Sequence, residues 1–117
     1  MNNNFNNLEP IEKDIVNYLK NYCNGLSHSI SNEALAAKFQ MDKRTLRSLI
    51  THLIVFHDVP LGSCSRNHSG IFYVSSQYDF EVAHREIISR IKNLSKRAKH
   101  LRLGYYESIK DKQLQLI

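Results

Sequence analysis

The sequence predicts a mostly α-helical protein with one small β-hairpin and a long C-terminal helix. Three observations carry that expectation. Apolar residues recur at helical spacing over three stretches of the first half. A β-branched and aromatic run, Ile71-Phe72-Tyr73-Val74, follows a polar segment ending in Ser69-Gly70. A steady alternation of three and four residues then runs from Phe80 to Leu101. The chain has 117 residues, 42% of them hydrophobic and 23% charged, enough to build one core without disulfides or metals.

Met1 to Asn7 is Asn-rich and has neither the basic start nor the apolar run of a signal peptide, so residues 1–8 read as a flexible lead-in. No apolar stretch reaches the roughly 18 residues of a membrane span. Together these imply a cytoplasmic protein with no membrane partner, in which Cys23 and Cys64 are reduced thiols. Pro10 opens the first helix, about residues 10–23, with Ile11, Ile15, Tyr18 or Leu19, and Tyr22 on its apolar side and Glu9, Glu12 and Asp14 near its positive end. Asn24-Gly25 stops it. Ser31 is an N-cap for a short second helix, about 32–39, and Gln40-Met41-Asp42 breaks it. Asp42 caps a third helix, Lys43 to about Phe56, with Leu46, Leu49, Ile50, Leu53 and Ile54 as its apolar face. Val59 to Ser63 is a short strand, held to an edge by Pro60, and it pairs with the return strand Ile71–Val74. The last helix starts near Ser76 or Asp79 and is expected to end at Gly104. The resulting divisions are 1–8, a domain over 9–76, a basic helix over 77–104 and a tail over 105–117.

Charge is unevenly placed. Residues 1–84 carry a net −1, whereas residues 85–112 carry a net +6. Positive charge gathered in this way suits a polyanion, although a solvated helix face has the same composition. The distinction rests on whether the fold presents base-reading side chains elsewhere.

Such side chains are present. Ile30-Ser31-Asn32-Glu33-Ala34-Leu35-Ala36, Met41-Asp42-Lys43-Arg44-Thr45-Leu46-Arg47, and then Ile50 and Leu53 resemble the helix-turn-helix of bacterial and phage DNA-binding proteins. With Gly70-Ile71-Phe72-Tyr73-Val74 and the basic helix that follows, the chain resembles small winged helix-turn-helix proteins of Gram-positive bacteria and their phages. The resemblance covers residues 10–103 and implies a recognition helix, 43–56, in the major groove of double-stranded DNA. Arg44, Arg47, Ser48 and Thr51 recur at i, i+3, i+4 and i+7 opposite the apolar stripe, where Arg suits guanine and Ser or Thr suits bases or phosphates. Lys43 and Thr45 stand at the helix start. Arg66, Asn67 and His68 form the wing loop, and Lys96 and Lys99 are expected on phosphates. His57-Asp58 departs from the resemblance, because many such proteins have Gly at this exit.

The last helix carries a seam of Phe80, His84, Ile87, Ile91, Leu94, Ala98 and Leu101, with His84 as its polar exception. Two uses are open: pairing with a second copy, or packing on the first helix of the same chain. Dimerisation through Phe80, Ile87, Ile91, Leu94, Ala98 and Leu101 is preferred, since DNA-reading helices commonly act in symmetric pairs. Repulsion in the basic half opposes tight pairing. Tyr105, Tyr106, Ile109, Leu114 and Ile117 suit a short extra helix or a segment that binds a host or phage protein.

No Gly-rich phosphate loop, nucleophile elbow or paired-acid motif occurs, so no enzyme activity and no cofactor are expected. His57, Cys64, His68 and Cys23 match no familiar zinc spacing, and no metal is expected. Three functions remain: a transcriptional regulator of a phage or mobile element, a phage replication initiator or replisome organiser, and a module that binds a host protein. The basic recognition face favours the first two.

Overall fold

The computed structural model describes residues 7–64 and 70–115. The order is α1 (Pro10–Tyr22), a 3-10 turn (Leu26–His28), α2 (Asn32–Lys38), α3 (Lys43–His57), β1 (Leu61–Cys64), β2 (Gly70–Tyr73) and α4 (Gln77–Gln115). This is a winged helix-turn-helix followed by a long C-terminal helix. Two compact units share the chain, Met1–His84 and Arg85–Ile117, and the division falls within α4 where the charge changes sign.

The helix starts are set by local hydrogen bonds. In α1, Pro10 occupies the first turn and Glu9 and Glu12 form a reciprocal capping box, with Glu9 N–H donating to Glu12 Oε1 at 2.9 Å. The Ser31 hydroxyl accepts from Ala34 N–H at 3.1 Å and starts α2. Asp42 Oδ1 accepts from Thr45 N–H at 2.8 Å and starts α3. Between α2 and α3, Gln40 adopts a left-handed conformation, φ 55°, which turns the chain sharply.

The core of the first unit is the inward stripes of these helices closed by the hairpin. Ile15, Val16 and Leu19 of α1 meet Leu35 and Ala36 of α2, Leu46 and Leu53 of α3, and Leu61 and Ile71 of the strands. Leu8, expected in the flexible lead-in, is buried with them. Two residues assigned to the apolar side of α1, Ile11 and Tyr22, are instead exposed, and Ile54 of α3 is exposed as well. The buried stripe of each helix is narrower than its apolar content.

The hairpin is antiparallel, with Leu61 opposite Tyr73 and Cys64 opposite Gly70. On its other side β2 pairs with the segment between α1 and α2. Ile30 and Ile71 exchange both backbone hydrogen bonds, at 2.9 and 2.7 Å, and Tyr73 N–H donates to Cys23 O at 2.8 Å. The first residue of β2 is a glycine, and a Cβ at this position would collide with the Ile30 carbonyl.

The exit of α3 lacks Gly. Asp58 takes the left-handed conformation instead, φ 53°, and Val59 N–H donates to Leu53 O at 3.1 Å. Asp has a short side chain and tolerates this region better than most residues. Helix α4 differs from expectation at its other end. Gly104 does not stop it, and the helix continues through Tyr105, Tyr106 and Ile109 to Gln115. Glycine lowers helix propensity, but with no following turn residue it does not by itself end a helix.

Candidate nucleic-acid interface

The exposed side of α3 is built by its own burial pattern. Leu46 and Leu53 are fully buried and fix the rotation of the helix. Arg44, Arg47, Ser48 and Thr51 are all exposed as a consequence, within one sector on the opposite side. The structure thus brings these four residues together on one exposed side of α3.

Two residues at the start of α3 have other bonds. Lys43 Nζ lies 3.2 Å from Glu33 Oε1 of α2, with both side chains well exposed. Exposed pairs of this kind contribute little and exchange readily with another anion. Thr45 works within the cap. Its hydroxyl and its backbone N–H hold the Asp42 carboxyl below the usual carboxylate range. This assigns Thr45 to ordering the helix start.

The exposed sector of α3 extends farther than the four polar residues. A shallow groove is lined by Arg47, Ser48, Thr51, His52, Val55 and Phe56. Val55 is 62% and Phe56 70% exposed, so the second half of this face is apolar. The sequence contained the signal, since Val55 lies at i+7 from Ser48 and thus on the polar face rather than the buried one.

A second surface lies on α4. Lys92, Ser95, Lys96, Ala98, Lys99 and Arg102 line one side of the helix. This groups the two expected phosphate contacts, Lys96 and Lys99, with two further cations. Ile87, Ile91, Leu94 and Leu101 of the seam are each at least half exposed, and Phe80 is 47% exposed. His84 stacks on the Phe80 ring at 5.1 Å, so the polar exception in the seam is packed against its apolar neighbour.

Asp79 ties the start of α4 to the first unit. It is only 7% exposed. Its carboxylate accepts from Leu26 N–H at 3.2 Å and from Ser75 N–H and Oγ–H at 3.3 Å. Burial pushes its pKa up, but these donors outweigh burial and hold it below the ordinary value.

Cys23 and Cys64 are both free thiols, and burial pushes the Cys23 thiol up. The wing residues Arg66, Asn67 and His68 lie outside the described residues. His57 stands beside Glu12 and His52, a grouping that no spacing in the sequence announces. Among the described residues no helix is long and apolar enough to cross a membrane. No family model, curated protein or solved structure matches the chain.

Proposed function

We propose that the protein binds double-stranded DNA in a sequence-specific way, as a transcriptional regulator of a phage or mobile element, with α3 in the major groove. The observation that carries this reading is the placement of Arg44, Arg47, Ser48 and Thr51 on the exposed face of a helix whose opposite side is locked in the core. The basic side of α4 supplies phosphate contacts through Lys92, Lys96, Lys99 and Arg102. The seam of α4 pairs two copies, which suits a target of two half-sites.

One feature favours a second reading. Val55 and Phe56 give the same helix an exposed apolar end, which suits a protein partner better than a phosphate backbone. A replication initiator or a host-binding module would use such a surface. Recovery and sequencing of genomic DNA bound by the protein separates these functions. Promoter sites are expected for the regulator. A cluster at a replication origin would replace it with the initiator, and no enrichment would leave the interaction module.

A further inference from the structure

Glu12 of α1 is an acid in an unusual place. It is 5% exposed, and a buried carboxylate is costly unless it is paired. Its Oε1 is occupied by the Glu9 N–H in the capping box. Its Oε2 faces His52 Nε2 of α3 at 3.6 Å, beyond hydrogen-bond reach. One ligand atom from each of Glu12, His52 and His57 lies within 4.8 Å of the others. The three therefore present two imidazole nitrogens and one carboxylate oxygen to a common point between α1 and the second half of α3.

That donor set has a definite preference. Imidazole suits zinc, cobalt and nickel, whereas magnesium and calcium take oxygen ligands. With metal–ligand bonds of about 2.0–2.1 Å, a tetrahedral ion holds its ligand atoms roughly 3.3 Å apart. The Glu12–His52 pair, at 3.6 Å, is already near that separation, and the His57 nitrogen lies within 4.8 Å of both. His52 is 47% exposed, which leaves an entry path and room for water as a further ligand.

We propose that Glu12, His52 and His57 form a site for a divalent transition ion of the zinc class, which pins α3 to α1. The ion supplies positive charge directly beside the buried carboxylate. The site does not depend on the DNA-binding reading. Because His52 also lines the groove with Arg47, Ser48 and Thr51, an occupied site would hold one wall of that groove in place.

The test is titration of the full-length protein with Zn2+ by calorimetry and with Co2+ by visible absorption, at about pH 7.5, where imidazole is mostly neutral. One saturable site per chain is expected, with a higher Tm in Zn2+ because the ion binds the folded state. His57→Ala and His52→Gln should each weaken binding by at least about tenfold, whereas His84→Ala should leave it unchanged. Glu12 also closes the cap of α1, so the two histidine variants, checked for fold by circular dichroism, decide the matter. The absence of saturable binding would overturn the proposal. So would folded His57→Ala and His52→Gln variants that bind as tightly as the parent. A cobalt–thiolate band that disappears in Cys64→Ser would also overturn it, since the ion would then sit elsewhere.

Discussion

Arg47 and Lys96 are both exposed cations, but they stand on different elements and should fail differently. Arg47 projects from the face of α3 expected to meet base edges, so Arg47→Ala should cost roughly 1–3 kcal/mol of discrimination between target and random DNA. Lys96 belongs to the basic side of α4, so Lys96→Ala should weaken both kinds of binding about equally. Anisotropy titrations with specific and scrambled duplexes measure the two ratios, and an unchanged ratio for Arg47→Ala would remove it from recognition. Asp79 makes a stability prediction instead. Its pKa is depressed in the fold, so its contribution is fully present above the unfolded carboxylate value near 3.9. The contribution is lost as the pH falls through the folded value. Asp79→Ala strips the Leu26 and Ser75 N–H groups of their acceptor and should cost roughly 1–3 kcal/mol at neutral pH. Urea unfolding should show this gap narrowing in acid, because the parent is then protonated as well. A gap that widens in acid would contradict the assigned hydrogen bonds.

At the scale of elements, two glycines make opposite predictions. Gly104 lies inside α4, and a Cβ added there would meet nothing within 4 Å, so Gly104→Ala should stabilise the helix by about 1 kcal/mol. Far-UV circular dichroism during heating would show a more helical and later-melting C-terminal half. Gly70 starts β2 directly against the Ile30 backbone. Gly70→Ala must push β2 away from the residue with which it exchanges two hydrogen bonds, and overpacking of this kind typically costs about 1–3 kcal/mol. Equal melting temperatures for Gly70→Ala and the parent would mean that the Ile30 bridge adds nothing to the fold. α3 is the element on which the proposed DNA-binding reading rests. Its buried stripe, its Asp42 cap and its Asp58 exit all act to fix one orientation of Arg44 and Arg47.

For the whole molecule, charge and apolar surface act against each other along α4. Ile91 is 55% and Leu94 58% exposed, and side chains of that size tend to be covered in solution. The flanking net +6 over residues 85–112 repels a second copy. Dimerisation through the seam should therefore strengthen as salt rises, which sedimentation at several salt concentrations measures. Ile91→Asp places a carboxylate in the seam and should yield a monomer whose first unit melts as in the parent. A parent that is monomeric at tens of micromolar would make the seam an exposed helix face. DNA binding should respond in the opposite sense. Each phosphate neutralised contributes about −0.9 to the slope of log K against log salt. A slope near zero would exclude the basic side of α4 from the interface.

The sequence alone determined the starts of α1, α2 and α3, because Pro10, Ser31 and Asp42 are local signals whose ring geometry or hydrogen bonds act within one turn. It also announced the hairpin, although the paired strands are Leu61–Cys64 and Gly70–Tyr73 rather than Val59–Ser63 and Ile71–Val74, and it gave no sign of the 3-10 turn Leu26–His28. It also determined the exposed side of α3, since the spacing of Leu46 and Leu53 leaves only one side for Arg44, Arg47, Ser48 and Thr51. What tertiary structure decided involves partners distant in the chain. Glu12 has the sequence signature of an acid favouring a helix start, and only packing of α1 against α3 buries it beside His52 and His57. The two histidines are five residues apart and share no helix face by periodicity, so no spacing rule links them. Ile30 forms a single bridge to β2, too short to leave an alternating pattern. Gly104 signals an end to α4 that the fold does not make, because a helix stops where a turn or a contact captures its last carbonyls. Local chemistry fixes where elements begin, and long-range contact decides which side chains they bring together.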